Sequence, residues 1–491
     1  MESAKVAFTQ TATKECSQSL RPTTSSRTSR YSSSKRVTPG HKAIAPGLQS
    51  YAAKPEPAYL PAGWSVHTHP EGQVYFSYES EISVVTEADL YSHEVQEKIA
   101  HWVAVVNSVL VERKTHVPRT AELFLELDST GDSCFYYLVD HTARVEFWLQ
   151  EITTDLQVLL DLPESVSDSH MRLALEELYW THVEYFPSHH SKPLDLSADQ
   201  LAGVFIHART DQMTSDFSTF PYDAGQCTCF LDSIRSAQAC ILSPHSVCVI
   251  ARLWVVVAHH RFITHFGQKT ARLSRDQSIL DTPPTRRGWL FALCSRILFS
   301  IPAAYAEQLD LLYLDNLVYV SQWRDAMAAY RAEWKLFVSW ALALMMINTV
   351  SLVSPYGSCV IACVSIALCY IAILCAVFLL VRLHGAAMYI ASDAATYLDD
   401  TRRERIGFQA IALIYSMPKA LFLWALGVSS LQGLVWVKDA TGIYVALAVV
   451  GFLGVCALLA RTVPLLRQLW EGFSRILPCR GRASGTERCE V

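Results

Sequence analysis

Residues 336–381 read LFVSWALALMMINTVSLV, then SPYG, then SCVIACVSIALCYIAILCAVFLLV. From Leu336 to Val381 there is no Asp, Glu, Lys or Arg. A helix of about 20 apolar residues crosses the hydrocarbon core of a bilayer, and this run covers that distance twice. Ser354-Pro355-Tyr356-Gly357 supplies the reversal, because proline and glycine together favour a tight turn. The run therefore predicts a helical hairpin with spans near 336–353 and 358–381, in an integral membrane protein.

Working outward, two further apolar runs predict spans near 412–437 and 441–460. They complete a transmembrane region over 336–466, followed by a basic cytosolic tail over 467–491. Basic residues flank this set on one side: Arg324, Arg331 and Lys335 before the first span, Arg382, Arg402, Arg403 and Arg405 between the second and third, Arg461 and Arg467 after the fourth. By the positive-inside rule both termini are cytosolic in a multi-pass protein; the compartment is open. Lys419 is the one charge inside the third run. A lysine at the bilayer centre is a functional position by default. Ala420–Val437 is long enough alone, so Lys419 is expected at the interface, with Ile406–Pro418 along the surface. Cys359, Cys363 and Ala367 recur every four residues, a small-residue stripe for helix approach.

The chain has 491 residues, 51% hydrophobic and 18% charged, which points to several domains and more apolar content than a soluble protein carries. A net charge of −5 gives no argument for nucleic acid. The 14 cysteines are scattered, so reduced, cytosol-facing soluble parts are expected. No signal-peptide core stands in residues 1–30. Residues 1–58, rich in Ser, Thr and Arg, offer little to bury and are predicted disordered.

Two aromatic stretches come next. Leu60-Pro61-Ala62-Gly63-Trp64 leads to Gln73-Val74-Tyr75-Phe76, and Tyr137-Leu138-Val139-Asp140-His141-Thr142-Ala143-Arg144 leads to Trp148. The first resembles the opening of a WW domain and the second its closing half. WW domains are small three-stranded antiparallel sheets that bind proline-rich peptides. The resemblance implies one module over 59–90, with Pro61, Trp64, Tyr75 and Phe76 as fold residues. It implies another over 119–152, with Tyr137, Val139, His141 and Trp148 contacting peptide. Thr86 stands where the first module's second Trp belongs, and the second module lacks the first Trp, so both are degenerate. With the apolar C-terminus, the chain resembles the WW-containing membrane proteins of mushroom-forming fungi.

Between the modules, over 91–118, Val95, Ile99, Trp102, Val103, Val106 and Leu110 mark one face of an amphipathic helix. Residues 153–335 read as a helical cytosolic region, with one helix over Ser169–Phe186 ended by Pro187. The expected fold class is therefore α plus small β: two WW-like three-stranded modules among cytosolic helices, then a four-helix transmembrane region.

No catalytic signature, phosphate-binding loop or paired zinc knuckle is found. His182, His189, His190 and His207 invite a metal reading, but no Cys or carboxylate stands at a regular ligand offset from them. Cys227 and Cys229 are spaced too tightly for a zinc knuckle. No metal and no cofactor are expected. The reading is a non-enzymatic membrane adaptor that holds a proline-containing partner, with the lipid bilayer as its other partner. The competing reading is a transporter or channel centred on Lys419, which needs oligomerisation because four spans enclose only a thin pathway.

Overall fold

The structure is a computed structural model describing residues 19–32, 36–41, 59–113, 117–128, 131–152, 164–189, 195–240, 243–281, 287–403, 405–448 and 450–451. The chain divides into two compact units, residues 1–279 and 280–491.

The first unit is built on one sheet. Its strands are β1 (Ser19–Pro22), β2 (Trp64–Thr68), β3 (Val74–Tyr78), β4 (Ser83–Thr86), β5 (Ala121–Leu127), β6 (Ser133–Asp140) and β7 (Val145–Phe147). The order is β1-β6-β5-β4-β3-β2, with β7 also on β6. β2, β3 and β4 form one antiparallel meander and β5, β6 and β7 another. β4 and β5 then pair in parallel, Ser83 opposite Glu122 and Thr86 opposite Leu125. Parallel neighbours need a long crossover, and helix α1 (His93–Arg113) provides it.

That parallel seam overturns the expectation of two discrete WW-like modules. The two aromatic stretches are halves of a continuous seven-stranded mixed sheet. A WW domain leaves both sheet edges open, whereas here the edge of β4 is occupied by β5 along its length. Trp64 stacks on Tyr78 at 5.3 Å, and Pro61 accepts a hydrogen bond from the Trp64 amide.

Residues 19–32, within the leader expected to be disordered, are ordered against this unit, and Ser19–Pro22 joins the sheet. β1 runs parallel to β6 along the edge that β7 leaves open. Arg30 then pairs with Glu87 at 2.7 Å and lies over the Tyr185 ring. The expectation counted apolar side chains, but this segment is tied down by a backbone ladder, by Arg30 and by polar contacts such as the Ser25 Oγ bond to the Leu178 carbonyl at 2.7 Å.

Alternation along the strands sends side chains to two covered faces. Phe76, Val84, Leu123, Leu125, Tyr136 and Leu138 pack with Ile99, Trp102 and Val106 of α1. Tyr75, Val85, Phe124, Tyr137 and Val139 pack on the other side. That side is covered by α2 (Asp168–Tyr185), α3 (Asp195–Thr214), α4 (Ala224–Ala239) and α5 (Pro244–Ile263). Tyr75 and Phe76, nominated as fold residues, are both buried, one on each face. α5 is long and apolar enough to span a bilayer, but half of its apolar window is buried and Trp254 stacks on Trp180 of α2. It serves as the central helix of this unit's core.

The second unit is helical: α6 (Trp289–Ile297), α7 (Ile301–Leu312), α8 (Val320–Val353), α9 (Cys359–Arg382), α10 (Ala391–Thr401) and α11 (Gln409–Thr441). The predicted hairpin is α8 and α9, and α8 begins a further four turns upstream. α8, α9 and α11 have length and composition to cross a membrane, and only 22–28% of their apolar windows is buried. Val350 is 73% exposed and Val381 72%. Apolar surface on this scale fits the hydrocarbon of a bilayer, in a multi-pass arrangement.

The helix seam differs from the expected one. Cys359, Cys363 and Ala367 face outward. The buried stripe of α9 is Ala362, Ser365, Cys369, Ala372 and Ala376, where small side chains let backbones approach. Asn348 of α8 donates to Ser365 Oγ at 3.1 Å, and Ser365 Oγ donates to the Ala425 carbonyl of α11 at 2.9 Å. α11 is one helix through Pro418, not a surface segment followed by a span. Its Lys419 pairs with Glu333 of α8. Half of the expected fourth span, 441–460, lies outside the described residues, as does the whole tail over 467–491.

Two predictions follow from this packing. Glu146 on β7 is fully buried and both its carboxylate oxygens face the Ser25 amide, at 3.3 and 3.2 Å. Burial pushes its pKa up from 4.5 to about 8, against the lowering effect of the Ser25 hydrogen bonds. The folded chain thus holds a proton that the unfolded chain loses between those values, and stability falls as pH rises through that window. Glu146→Gln is expected to remove this fall and to gain about 1–3 kcal/mol at pH 8 relative to pH 5, read from thermal unfolding in detergent. Parallel melting profiles for the two proteins contradict the assignment. In the α8–α9 turn, Gly357 has φ +90°, and a Cβ there meets Gln432 Nε2 at 2.7 Å. Gly357→Ala is expected to cost about 1–3 kcal/mol, seen as a lowered melting temperature.

Candidate functional site

Glu122 is the second residue of β5 and points into the face covered by α2, where it is 2% exposed. Its cross-strand partner is Val139. Two residues beyond Val139, at the end of β6, stands His141. From above, α2 brings His182, and a single helical turn after Pro187 brings His189. Ser167 caps the start of α2 by accepting from the His170 amide at 3.1 Å, and Pro187 cannot continue the helix. Register of the sheet and length of the helix thus bring together four residues spread over nearly 70 positions.

The geometry converges on the carboxylate. His141 Nε2 lies 2.9 Å from Glu122 Oε2, and His182 Nε2 lies 3.6 Å from the same oxygen. His189 Nε2 lies 2.8 Å from Oε1. The ligand atoms of Glu122, His141 and His182 all fall within 4.8 Å of one another. The opposite nitrogen of each ring meets a tyrosine hydroxyl. His141 Nδ1 is 3.3 Å from Tyr179, His182 Nδ1 is 3.1 Å from Tyr137, and His189 Nδ1 is 3.2 Å from Tyr75. Tyr75 also accepts from the Ser188 amide at 2.7 Å.

Burial disfavours the charge on Glu122, but the surrounding histidines outweigh it and hold the carboxyl well below its usual range. Burial drives the His182 pKa down, against the pull of Glu122. Burial raises the Tyr75 hydroxyl to about 12 and pushes Tyr137 and Tyr179 well up. The picture is an ionised carboxylate, a neutral imidazole at its buried side, and hydroxyls that keep their protons.

A tyrosine hydroxyl both donates and accepts. With the hydroxyl donating to Nδ1, the ring carries its proton on Nε2 and hydrogen-bonds to Glu122. With Nδ1–H donating to the hydroxyl oxygen, the Nε2 lone pair is turned toward Glu122 and can ligate a cation. Metal-bound histidines ordinarily have such an outer partner fixing the tautomer. Two imidazoles and one carboxylate are a donor set for Zn²⁺ or a similar divalent transition metal.

The site opens on one side. A cavity of about 600 Å³ is lined by Glu122, His141 and His189 together with Arg119, Arg144, Tyr179 and Ser197. His182 lies behind them, fully buried. His67 stacks on Tyr75 at 5.1 Å, and its Nε2 is 2.8 Å from Ser77 Oγ.

Of the four residues nominated for peptide contact, Tyr137 and Val139 are buried in the sheet face. The Trp148 indole donates to the Thr23 carbonyl at 2.6 Å and is partly buried. His141 alone reaches the cavity, as part of the histidine cluster. His182 and His189, for which the sequence offers no ligand at a regular offset, belong to that cluster. His207 is exposed on α3, and His190 lies outside the described residues. Cys227 is buried and Cys229 exposed, as two positions apart on a helix requires.

No protein-family model, no curated protein and no solved structure matches the chain. With the continuous sheet, this overturns the resemblance to WW-containing fungal membrane proteins, and with it the WW-based adaptor function.

Truncating one partner of a buried charge cluster leaves the rest unpaired. In metal-free protein Glu122→Ala is expected to lose about 3–5 kcal/mol of stability, measured by denaturant unfolding. Glu94→Ala, which breaks the exposed Glu94–Lys98 pair, is expected to leave stability unchanged. Equal effects contradict the placement of Glu122 at the centre of the cluster.

Proposed function

We propose that this chain is a membrane-anchored metalloprotein. In this reading its first unit binds one divalent transition metal through Glu122, His141 and His182, and uses it on a ligand that enters the adjoining cavity. The observation that carries the reading is the convergence of two Nε2 atoms on a single carboxylate oxygen, Oε2. His189, on Oε1, acts as a positioning residue for the carboxylate. Three protein ligands leave coordination positions open, the arrangement that metal-assisted hydrolysis needs. Glu122 and His141 face the cavity, so a ligand has a route to those positions.

One observation favours a second reading. Each Nδ1 has a tyrosine hydroxyl able to donate to it, so the cluster can also close as a hydrogen-bonded network that only stabilises the fold. The basic residues beside α8 and after α9 support a cytosolic first unit under the positive-inside rule. That orientation would place the site in the reducing compartment.

Metal analysis separates the two readings. Untagged full-length protein in detergent is expected to retain about one zinc or cobalt per chain after dialysis, and to lose it in His182→Ala and Glu122→Ala. His189→Ala is expected to weaken binding by about 10–100-fold without abolishing it. A chain that binds no metal, with a melting temperature indifferent to chelator, establishes the hydrogen-bonded network instead.

A further inference from the structure

The walls of the cavity carry a second signal. Arg119 stands just before β5 and Arg144 closes the turn between β6 and β7; both line the cavity that Glu122, His141 and His189 enter. Arg144 is held in place from two sides. Its Nη2 donates to Ser197 Oγ at 3.0 Å, and its guanidinium carbon lies 5.5 Å from the centre of the Trp180 ring. Among the described residues neither arginine has a carboxylate partner. A guanidinium presents five donors in a fixed fork, and Ser197 takes only one.

The backbone at Arg144 is left-handed, with φ 56°. That conformation is strained for a non-glycine residue, and glycine adopts it freely. The turn is tight: the Arg144 amide donates to the Asp140 carbonyl at 2.7 Å, and the Thr142 amide to Asp140 Oδ1 at 2.8 Å. His141 and Arg144 are therefore carried by one rigid turn, the first at the metal position and the second on the cavity wall. The lining holds two carboxylates, Glu79 and Glu122, and two guanidinium groups. A divalent ion bound there leaves the cavity positive.

We propose that the cavity binds a small oxyanion, the phosphate or carboxylate group of a ligand. One of its oxygens sits on the metal held by Glu122, His141 and His182, and the others on Arg144 and Arg119. A guanidinium fork beside a cation is the combination that suits such a group. This inference rests on the metal reading given above, and its test is arranged so that the two fail separately.

Full-length protein in detergent is loaded with Co²⁺, and bound cobalt is counted first. Inorganic phosphate, and acetate in a parallel arm, is then titrated while the visible cobalt bands are followed. A saturable spectral change is expected with at least one of the two anions, and the arm that binds more tightly identifies the group. Arg144→Gly relieves the left-handed backbone and so keeps the turn; it is expected to bind cobalt as the parent does while losing at least tenfold in anion affinity. Arg119→Gln, at an exposed position, is expected to lose affinity in the same direction. If cobalt binds and neither anion alters its spectrum, or if both variants bind the anion as tightly as the parent, the oxyanion site is refuted and the metal site stands. If no cobalt binds to the parent protein, both are refuted.

Discussion

A carboxylate inside a sheet that is covered on both faces is the constraint on which the first unit depends. Glu122 sits among Phe124, Tyr137 and Val139, in surroundings where an unpaired charge is strongly disfavoured. It persists because three histidines reach it from one strand end, one helix and one helical turn. Each of those elements is placed by the sheet's apolar packing, so the hydrophobic core and the polar cluster specify each other. The tyrosines behind the rings extend the polar network into that same face, since Tyr75 and Tyr137 are core residues whose hydroxyls alone are polar.

The second unit solves a different problem with the same chemistry. Its helices turn large apolar side chains outward and small ones inward along α9. In lipid there is little hydrophobic drive between helices, so close packing and interhelical hydrogen bonds hold them. Asn348, Ser365 and Ser429 supply such bonds between α8, α9 and α11. Glu333 and Lys419 do the same for charge, each neutralising the other within the helical unit. Tyr305 of α7 also donates to Glu333, at 2.7 Å. A salt bridge satisfied within the helical packing explains why a lysine is tolerated in an apolar run.

The hairpin was legible in the sequence because bilayer thickness fixes a length and the absence of charge fixes a solvent. α1 was legible too, from its apolar positions at three- and four-residue steps. The face of α9 was not: Cys363 and Ser365 are both small, and only the neighbours decide which turns inward. The aromatic stretches showed their meanders, but nothing local in Ser83–Thr86 announces that its free edge meets Ala121–Leu127 across a helix. The histidine cluster was hidden for the same reason. His182 and His189 were visible, but their carboxylate lies some 60 residues earlier and meets them only through the packing of α2 on the sheet. His141 was assigned to a peptide groove because its neighbours in sequence resembled one.

X-ray absorption at the zinc edge of the zinc-loaded full chain tests the central claim most directly. The account predicts a first shell with two imidazole nitrogens at about 2.0–2.1 Å and carboxylate oxygen at about 2.0–2.2 Å, with imidazole scattering lost in His182→Ala. A shell of oxygen alone, or one that His182→Ala leaves unchanged, contradicts it.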